Sequence, residues 1–278
     1  MTNATSPSGA TSPTNADLLK TARSIAREAG ALAARRRAEG VEVADSKSSA
    51  VDIVTYADRE VEALIRRRLA AERPGDGFLG EESGAEPSST GLTWIVDPID
   101  GTVNFLYGIP MYAVSIAVVS GEPDPRHWTA LAACVVNPVL DEEYSATRGG
   151  GAALNGVPLQ VAGPTDLSQS LVGTGFSYDP ARRIEQATRL VPLLGRVRDI
   201  RRIGAASLDL CAVAVGRLDA YIERGLQPWD HAAGILIAKE AGASVLTPAG
   251  APASRDLTVV SAPGIRAELA SALADCGF

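Results

Sequence analysis

The sequence predicts a layered α+β fold, on three observations. Apolar residues recur at helical spacing in several separate stretches. Between these stretches lie near-continuous apolar runs of strand length, bounded by Gly, Pro and Asp turns. The strands come in consecutive runs as well as singly, which argues for packed layers of helices and sheets and against a pure βαβ series.

The elements run in chain order. Residues 1–15, rich in Ser, Thr, Pro, Asn and Gly, read as a disordered tail, and they lack the basic start and apolar centre of a secretory signal. From Asp17, the residues Leu18, Ala22, Ile25, Ala29 and Leu32 mark a helix that Gly40 ends. "VDIVT" predicts a short strand, and Val61, Leu64, Ile65 and Leu69 a helix closed by Pro74 and Gly75. Phe78 and Leu79 suggest a strand feeding the acidic turn "GEES". "LTWIVD" and "YAVSIAVVSG" are strands, and the region from Thr129 to Val161 reads as strands joined by tight turns. "SLVGTGF" is a buried strand. Residues 180–197 carry a helix started or interrupted by Pro192. Next come a helix ending at Gly216, a strand from Asp219 to Glu223 and a helix opening at Asp230, with Gly242 just past the last. "LTVVSA" and an amphipathic helix from Gly264 complete the chain.

Length and composition bound the function. The 278 residues, 46% hydrophobic and 21% charged, suit one catalytic domain from residue 16 onward, built as two closely packed lobes. A net charge of −7 argues against nucleic acid as the partner, because phosphate backbones call for a basic stripe. Cys134, Cys211 and Cys276 are scattered without CxxC spacing, which suits a reducing, cytoplasmic setting. His127 and His231 are the two histidines, too few for a His-rich zinc site. No apolar run approaches the ~18–20 residues that cross a bilayer.

Acids stand where strands end or helices begin: Asp58, Glu81 with Glu82, Asp97 with Asp100, and Asp230. Each has a structural reading by itself. Asp58 and Asp230 are candidate N-caps, the Glu pair a solvated turn, and Asp97-Pro98-Ile99-Asp100 a type I turn. Together they are the oxygen donors a hard cation such as Mg²⁺ requires, and the poverty in His and paired Cys favours Mg²⁺ over zinc. The gap within Asp97–Asp100 lets one carboxylate bridge two metals while the next binds one. Gly101-Thr102 then offers free N–H groups for a phosphate and a hydroxyl for a water, if a helix begins there. A site that hydrolyses a phosphate ester accounts for all of these groups.

The segments "WIVDPIDGTVNF" (94–105), "GEES" (80–83), "WDHAAG" (229–234) and "KSSAVDIVTYAD" (47–58) resemble the signature segments of the inositol monophosphatase family. The resemblance runs from about Asp17 to the C-terminus. It implies an αβαβα sandwich and Mg²⁺-dependent hydrolysis of a small phosphorylated polyol, with two to three ions per site. By similarity, Glu81, Asp97 and the Ile99 carbonyl would hold one metal, Asp97, Asp100 and Asp230 a second, and Glu81 would help hold a weaker third. Thr102 and Asp58 would orient the attacking water, Lys47 would lie near the metals, and Gly101 and Thr102 would meet the phosphate. Glu223 and the Gly204–Ala206 backbone would meet the alcohol, with Asp100 and Asp230 at the same substrate. The resemblance also implies a homodimer and inhibition by lithium.

Two departures bear on substrate. Val103 stands where many members carry a second threonine, and "GAAS" (204–207) replaces the usual Gly-Ser/Thr-Ala-Ala, so Ala205 lacks a hydroxyl worth about 1 kcal/mol. The glycines of "RGGGAALNG" sit in a strand-turn-strand context and do not make a nucleotide loop. Sibling activities on histidinol phosphate, fructose 1,6-bisphosphate or 3′-phosphoadenosine 5′-phosphate are the alternatives. The last is disfavoured because no added basic or aromatic clamp is evident in the sequence. A non-catalytic, metal-binding regulatory protein on the same scaffold is the alternative from a different class.

Overall fold

The computed structural model describes residues 12–46, 53–161, 163–246 and 257–278. Lys47 and most of the expected tail lie outside the described residues. Helix α1 (Asn15–Glu39) starts within the span assigned to the tail. A reciprocal cap fixes it there: Thr14 Oγ1 accepts the Asp17 N–H at 3.2 Å, and the Asp17 carboxylate accepts the Thr14 N–H at 3.0 Å. Helix α2 (Tyr56–Glu72) comes after the small hairpin β1 (Val43–Ser46) and β2 (Ile53–Thr55).

The larger sheet has eight strands: β3 (Gly77–Gly80), β4 (Gly84–Glu86), β5 (Leu92–Asp100), β6 (Ala113–Ser120), β7 (Thr129–Asn137), β8 (Glu142–Thr147), β9 (Gly151–Leu154) and β10 (Val157–Pro158). Their order is β10-β9-β8-β7-β6-β5-β3-β4, antiparallel except where β3 runs parallel to β5. The smaller sheet holds β11 (Leu171–Thr174), β12 (Asp199–Arg201), β13 (Ala220–Glu223), β14 (Ser244–Leu246) and β15 (Thr258–Ser261), in the order β12-β11-β13-β15-β14. The glycine-rich segment at 148–156 is a pair of strand connections, as its sequence suggests. Its Asn155-Gly156 turn takes positive φ at both residues.

Burial on both faces explains why β5 and β6 read as continuous apolar runs. In β5, Trp94 and Val96 pack into one core with Ile25 and Ile65 of α1 and α2, while Ile95 belongs to a second core on the opposite face. That second core joins the sheet to α5 (Ala206–Ala214) and α6 (Pro228–Glu240) through Leu210, Leu236 and Ile237. A third core packs the smaller sheet against α4 (Pro180–Leu194) and α7 (Arg266–Asp275) through Val172, Leu193, Ile222 and Leu269. Each such buried side chain contributes about 1.5–3 kcal/mol. The layers are therefore helix, sheet, helix, sheet, helix. Pro192 lies inside α4, in its last turn, where it forfeits its own bond to the carbonyl four residues before it and the helix ends two residues later.

Two details of β5 set the placement of its acids. Asp97 pairs with Ser115 and Asp100 with Ala113, so three steps on β5 face two on β6. That extra residue is a β-bulge, which corrects the type I turn expected for Asp97–Asp100 and explains how Pro98 sits within a strand. The parallel neighbour β3 sets Gly80 beside Val96, and the Glu81 N–H donates to the Val96 carbonyl at 3.3 Å. Glu81 thus emerges at the level of Asp97.

Candidate active site

A cleft of about 940 Å³ opens where the two sheets meet. One wall is made from the ends of β3 and β5 and the start of α3 (Thr102–Tyr107): Glu81, Asp97, Ile99, Asp100, Gly101 and Thr102. Asp230 at the start of α6 closes it. The opposite wall holds Gly204, Ala205, Ala206, Asp209, Tyr221 and Glu223. Asn104 stitches the walls together, its Nδ2 donating to Met111 O at 2.7 Å and Ile203 O at 3.0 Å.

Most of the residues singled out in the sequence share this cleft: Glu81, Asp97, Ile99, Asp100, Gly101, Thr102, Gly204, Ala206, Glu223 and Asp230. Asp58 does not line it. Asp58 sits behind Thr102, fully buried, and Thr102 Oγ1 reaches Asp58 Oδ1 at 3.3 Å and the Ile99 carbonyl at 3.1 Å. Lys47 lies outside the described residues. Asp58 and Asp230 are also not N-caps. Each sits at the third position of its helix, where its carboxylate reaches back to a backbone N–H: Thr55 N to Asp58 Oδ2 at 2.7 Å, and Gln227 N to Asp230 Oδ2 at 2.7 Å.

Gly101 is required by its surroundings. Its φ is +89°, and a Cβ there would stand 2.9 Å from the Met111 carbonyl and 3.1 Å from the Ala205 methyl. The Ile99 N–H donates to Asp97 Oδ1 at 3.1 Å, which orients that carboxylate across the bulge.

Burial pushes the Asp97 carboxyl well above the usual carboxylate range, and the charges of Glu81, Asp100 and Asp230 push it further. Asp230 is raised well above that range by burial and then by Glu81 and Asp100. Burial also raises Asp100, against hydrogen bonds from Ser207 and Ala206 that favour its charged form. On the far wall, burial lifts Glu223 to about 7, with the Tyr221 hydroxyl and Arg202 opposing. Such a wall of mutually repelling carboxylates is what a bound cation relieves.

The donor set suits a hard divalent cation: four carboxylates and one backbone carbonyl, all oxygen, with no His or Cys among them. Among the described residues no group of three or more His, Cys, Asp or Glu is arranged to hold an ion as it stands. The acids form a wall of donors and not a closed shell, as befits Mg²⁺, which keeps water and substrate oxygens among its ligands.

The sequence reading missed part of the far wall. Asp209 lines the cleft from within the apolar run "SLDLCAVAV", where a lone carboxylate was the available signal. Arg182, Arg202, Arg224, Phe176 and Tyr178 line it too. The cleft therefore carries basic and aromatic side chains, although no added basic or aromatic clamp is evident in the sequence. Phe176, Tyr178 and Arg182 share one short segment, Arg202 and Arg224 come from two others, and no motif joins them in the sequence.

The profile of the inositol monophosphatase family matches residues 14–277. The inositol-1-monophosphatase SuhB of Mycobacterium tuberculosis is 46% identical over 278 aligned residues, covering 93% of each chain. A solved structure of Mycobacterium tuberculosis SuhB superposes with a TM-score of 0.81 at 45% identity, covering 95% of this chain and 98% of that one. A protein of Xylella fastidiosa named Nus factor SuhB is 41% identical, covering 75% of this chain and 74% of its own.

Proposed function

This chain belongs to the inositol monophosphatase family of metal-dependent phosphatases, and from that premise we propose that it hydrolyses myo-inositol 1-phosphate to inositol and phosphate with Mg²⁺. The observation that carries the reading is the convergence of Glu81, Asp97, Asp100 and Asp230 on one cleft, backed by the Thr102–Asp58 pair. Glu81, Asp97, the Ile99 carbonyl, Asp100 and Asp230 would hold two to three ions, and lithium would compete for one position. When bound, Mg²⁺ supplies Lewis-acid polarisation of the phosphoryl group and compensates the charge of the leaving alkoxide.

The remaining steps fall to the chain itself. The Thr102 hydroxyl donates a hydrogen bond to Asp58 or to the Ile99 carbonyl, both within reach, and so presents its oxygen as acceptor to a water. Buried Asp58, held by Thr55, fixes that direction. The Gly101 N–H would meet a phosphate, while the side that a Cβ would take is filled by Met111 and Ala205. Glu223 accepts the Tyr221 hydroxyl and offers its other oxygen to a substrate hydroxyl. Lys47 would act near the metals. The two glycines at 173 and 175 leave room beside Asp209 and Glu223, since a Cβ on Gly175 would collide with the Glu223 carboxylate.

A homodimer is supported by an exposed apolar patch. Tyr107, Ile109, Val139 and Leu140 are all exposed, and Asn137 joins their two loops by donating to the Pro110 carbonyl at 3.1 Å. Three free, buried cysteines support a cytoplasmic setting, and no helix among the described residues is long and apolar enough to cross a membrane.

The test is phosphate release with Mg²⁺ from inositol 1-phosphate, histidinol phosphate, fructose 1,6-bisphosphate and 3′-phosphoadenosine 5′-phosphate. Preferred turnover of the first, blocked by lithium, is expected. Preference for another ester would move the substrate and keep the chemistry. No Mg²⁺-dependent release from any would overturn the enzymatic reading. A second reading, a regulatory protein acting through its surface, is favoured by the name Nus factor carried by two relatives. It requires a cellular role that survives Asp97→Asn.

A further inference from the structure

Asp100 does two jobs in this fold. Helix α5 begins at Ala206 without a side-chain cap of its own, because Ala205 at the capping position has no hydrogen-bonding group. The carboxylate of Asp100, distant in sequence on β5, fills that place. Its Oδ1 accepts the Ala206 N–H at 3.2 Å and its Oδ2 accepts the Ser207 N–H at 2.7 Å. Ser207 adds a third donor, its hydroxyl reaching the same Oδ2 at 2.5 Å. Ser207 is completely buried, so water cannot replace that hydroxyl, and its Oγ has no other hydrogen-bond partner among the described residues.

The two oxygens of Asp100 are therefore unequal. Oδ2 receives two short bonds from one residue, while Oδ1 receives the longer Ala206 bond, and the Gly101 backbone also favours the charged carboxylate. We infer that the Ser207 hydroxyl is a positioning residue for the metal site: it pins Asp100 through Oδ2 so that Oδ1 faces the cleft as the ligand oxygen. The sequence "GAAS" carries its hydroxyl at 207 and not at 205, so the group lies behind the Asp100 carboxylate. Partners behind a ligand commonly set metal affinity by 10- to 100-fold, because they fix orientation before binding.

The inference rests on the proposed Mg²⁺ site, and its test separates the two. Mg²⁺ binding to the full-length protein is measured by titration calorimetry and by the rise in Tm with added Mg²⁺, without substrate. Wild type should bind. Ser207→Ala should bind about tenfold more weakly, and Ser207→Thr, which keeps the hydroxyl, should stay within about threefold of wild type. At saturating Mg²⁺, Ser207→Ala should recover most of its kcat. An unchanged Mg²⁺ affinity in Ser207→Ala, with only the metal-free Tm lowered, would show a structural residue and overturn the inference while leaving the metal site standing. No Mg²⁺ binding by wild type would overturn the site itself. Ser207→Cys, similar in size and a poor donor, is the second variant and should behave as Ser207→Ala does.

Discussion

The carboxylate of Glu62, buried on α2, accepts the backbone N–H of Glu82 at 2.9 Å, and so ties that helix to the turn bearing Glu81. It occupies the space that Gly80 leaves empty. A Cβ on Gly80 would collide with the Glu62 carboxylate and the Phe78 ring. Gly80→Ala should therefore cost about 1–3 kcal/mol, read as a shift in the urea midpoint. It should also lower phosphatase activity more than a surface change of equal stability cost does.

Thr102 supplies a hydroxyl whose proton has two acceptors in reach. Thr102→Ala removes the oxygen that would hold the water. Steady-state kinetics should show kcat down by about 10²-fold or more with KM little changed, and Thr102→Ser should restore most of it.

Asp97 is crowded by the other three acids, its charge opposed by burial and by Glu81, Asp100 and Asp230. Asp97→Asn keeps the shape and the Oδ1 that accepts the Ile99 N–H. Without metal, this variant should melt higher than wild type, by at least about 2 °C, because a repelling charge is gone. It should lose both hydrolysis and the stabilisation by Mg²⁺. Melting curves with chelator and with Mg²⁺ decide it; a variant less stable than wild type in chelator would contradict the electrostatic account.

His231 is 1% exposed, and neither ring nitrogen has a hydrogen-bond partner within the described structure. Burial lowers its pKa to about 4, whereas the unfolded ring titrates near 6.5. The folded ring stays neutral while the unfolded one takes up a proton, so its contribution is complete above about pH 6.5 and falls away as the pH drops toward 4. His231→Leu lacks this contribution. Across that window, wild type should lose stability relative to the variant by up to about 1.4 kcal/mol per pH unit. Urea midpoints at pH 7, 6, 5 and 4.5 would measure the difference, in which the pH dependence of the acids largely cancels. Parallel profiles would contradict it.

Much of this architecture was legible because it rests on local rules. The periodicity of Leu18 to Leu32 gave α1, and the unbroken apolar run around Trp94 gave a strand buried on both faces. The carboxylates were legible because strands seldom end in Asp-Pro-Ile-Asp without a reason. The hidden parts depend on register or on distant partners. The bulge in β5 is a property of its pairing with β6, which Asp97–Asp100 alone cannot reveal. Strand β12, short and flanked by charge, has no alternation to betray it. Asp209 and Arg202 reach the cleft through the layering of two sheets, and Ser207 meets Asp100 across 107 residues of chain.

The bulge also acts as a ratchet pawl. Strands β5 and β6 cannot slip by one residue without erasing it, and a slip would turn every side chain of β5 to the other face. The stagger between Asp97 and Asp100 is thereby fixed by a residue count in the larger sheet. The groups on the far wall of the cleft hang from the smaller sheet and its neighbours. Selection can thus rewrite that far wall, residue by residue, and retarget the catalyst to new esters while the reacting end stays as it is.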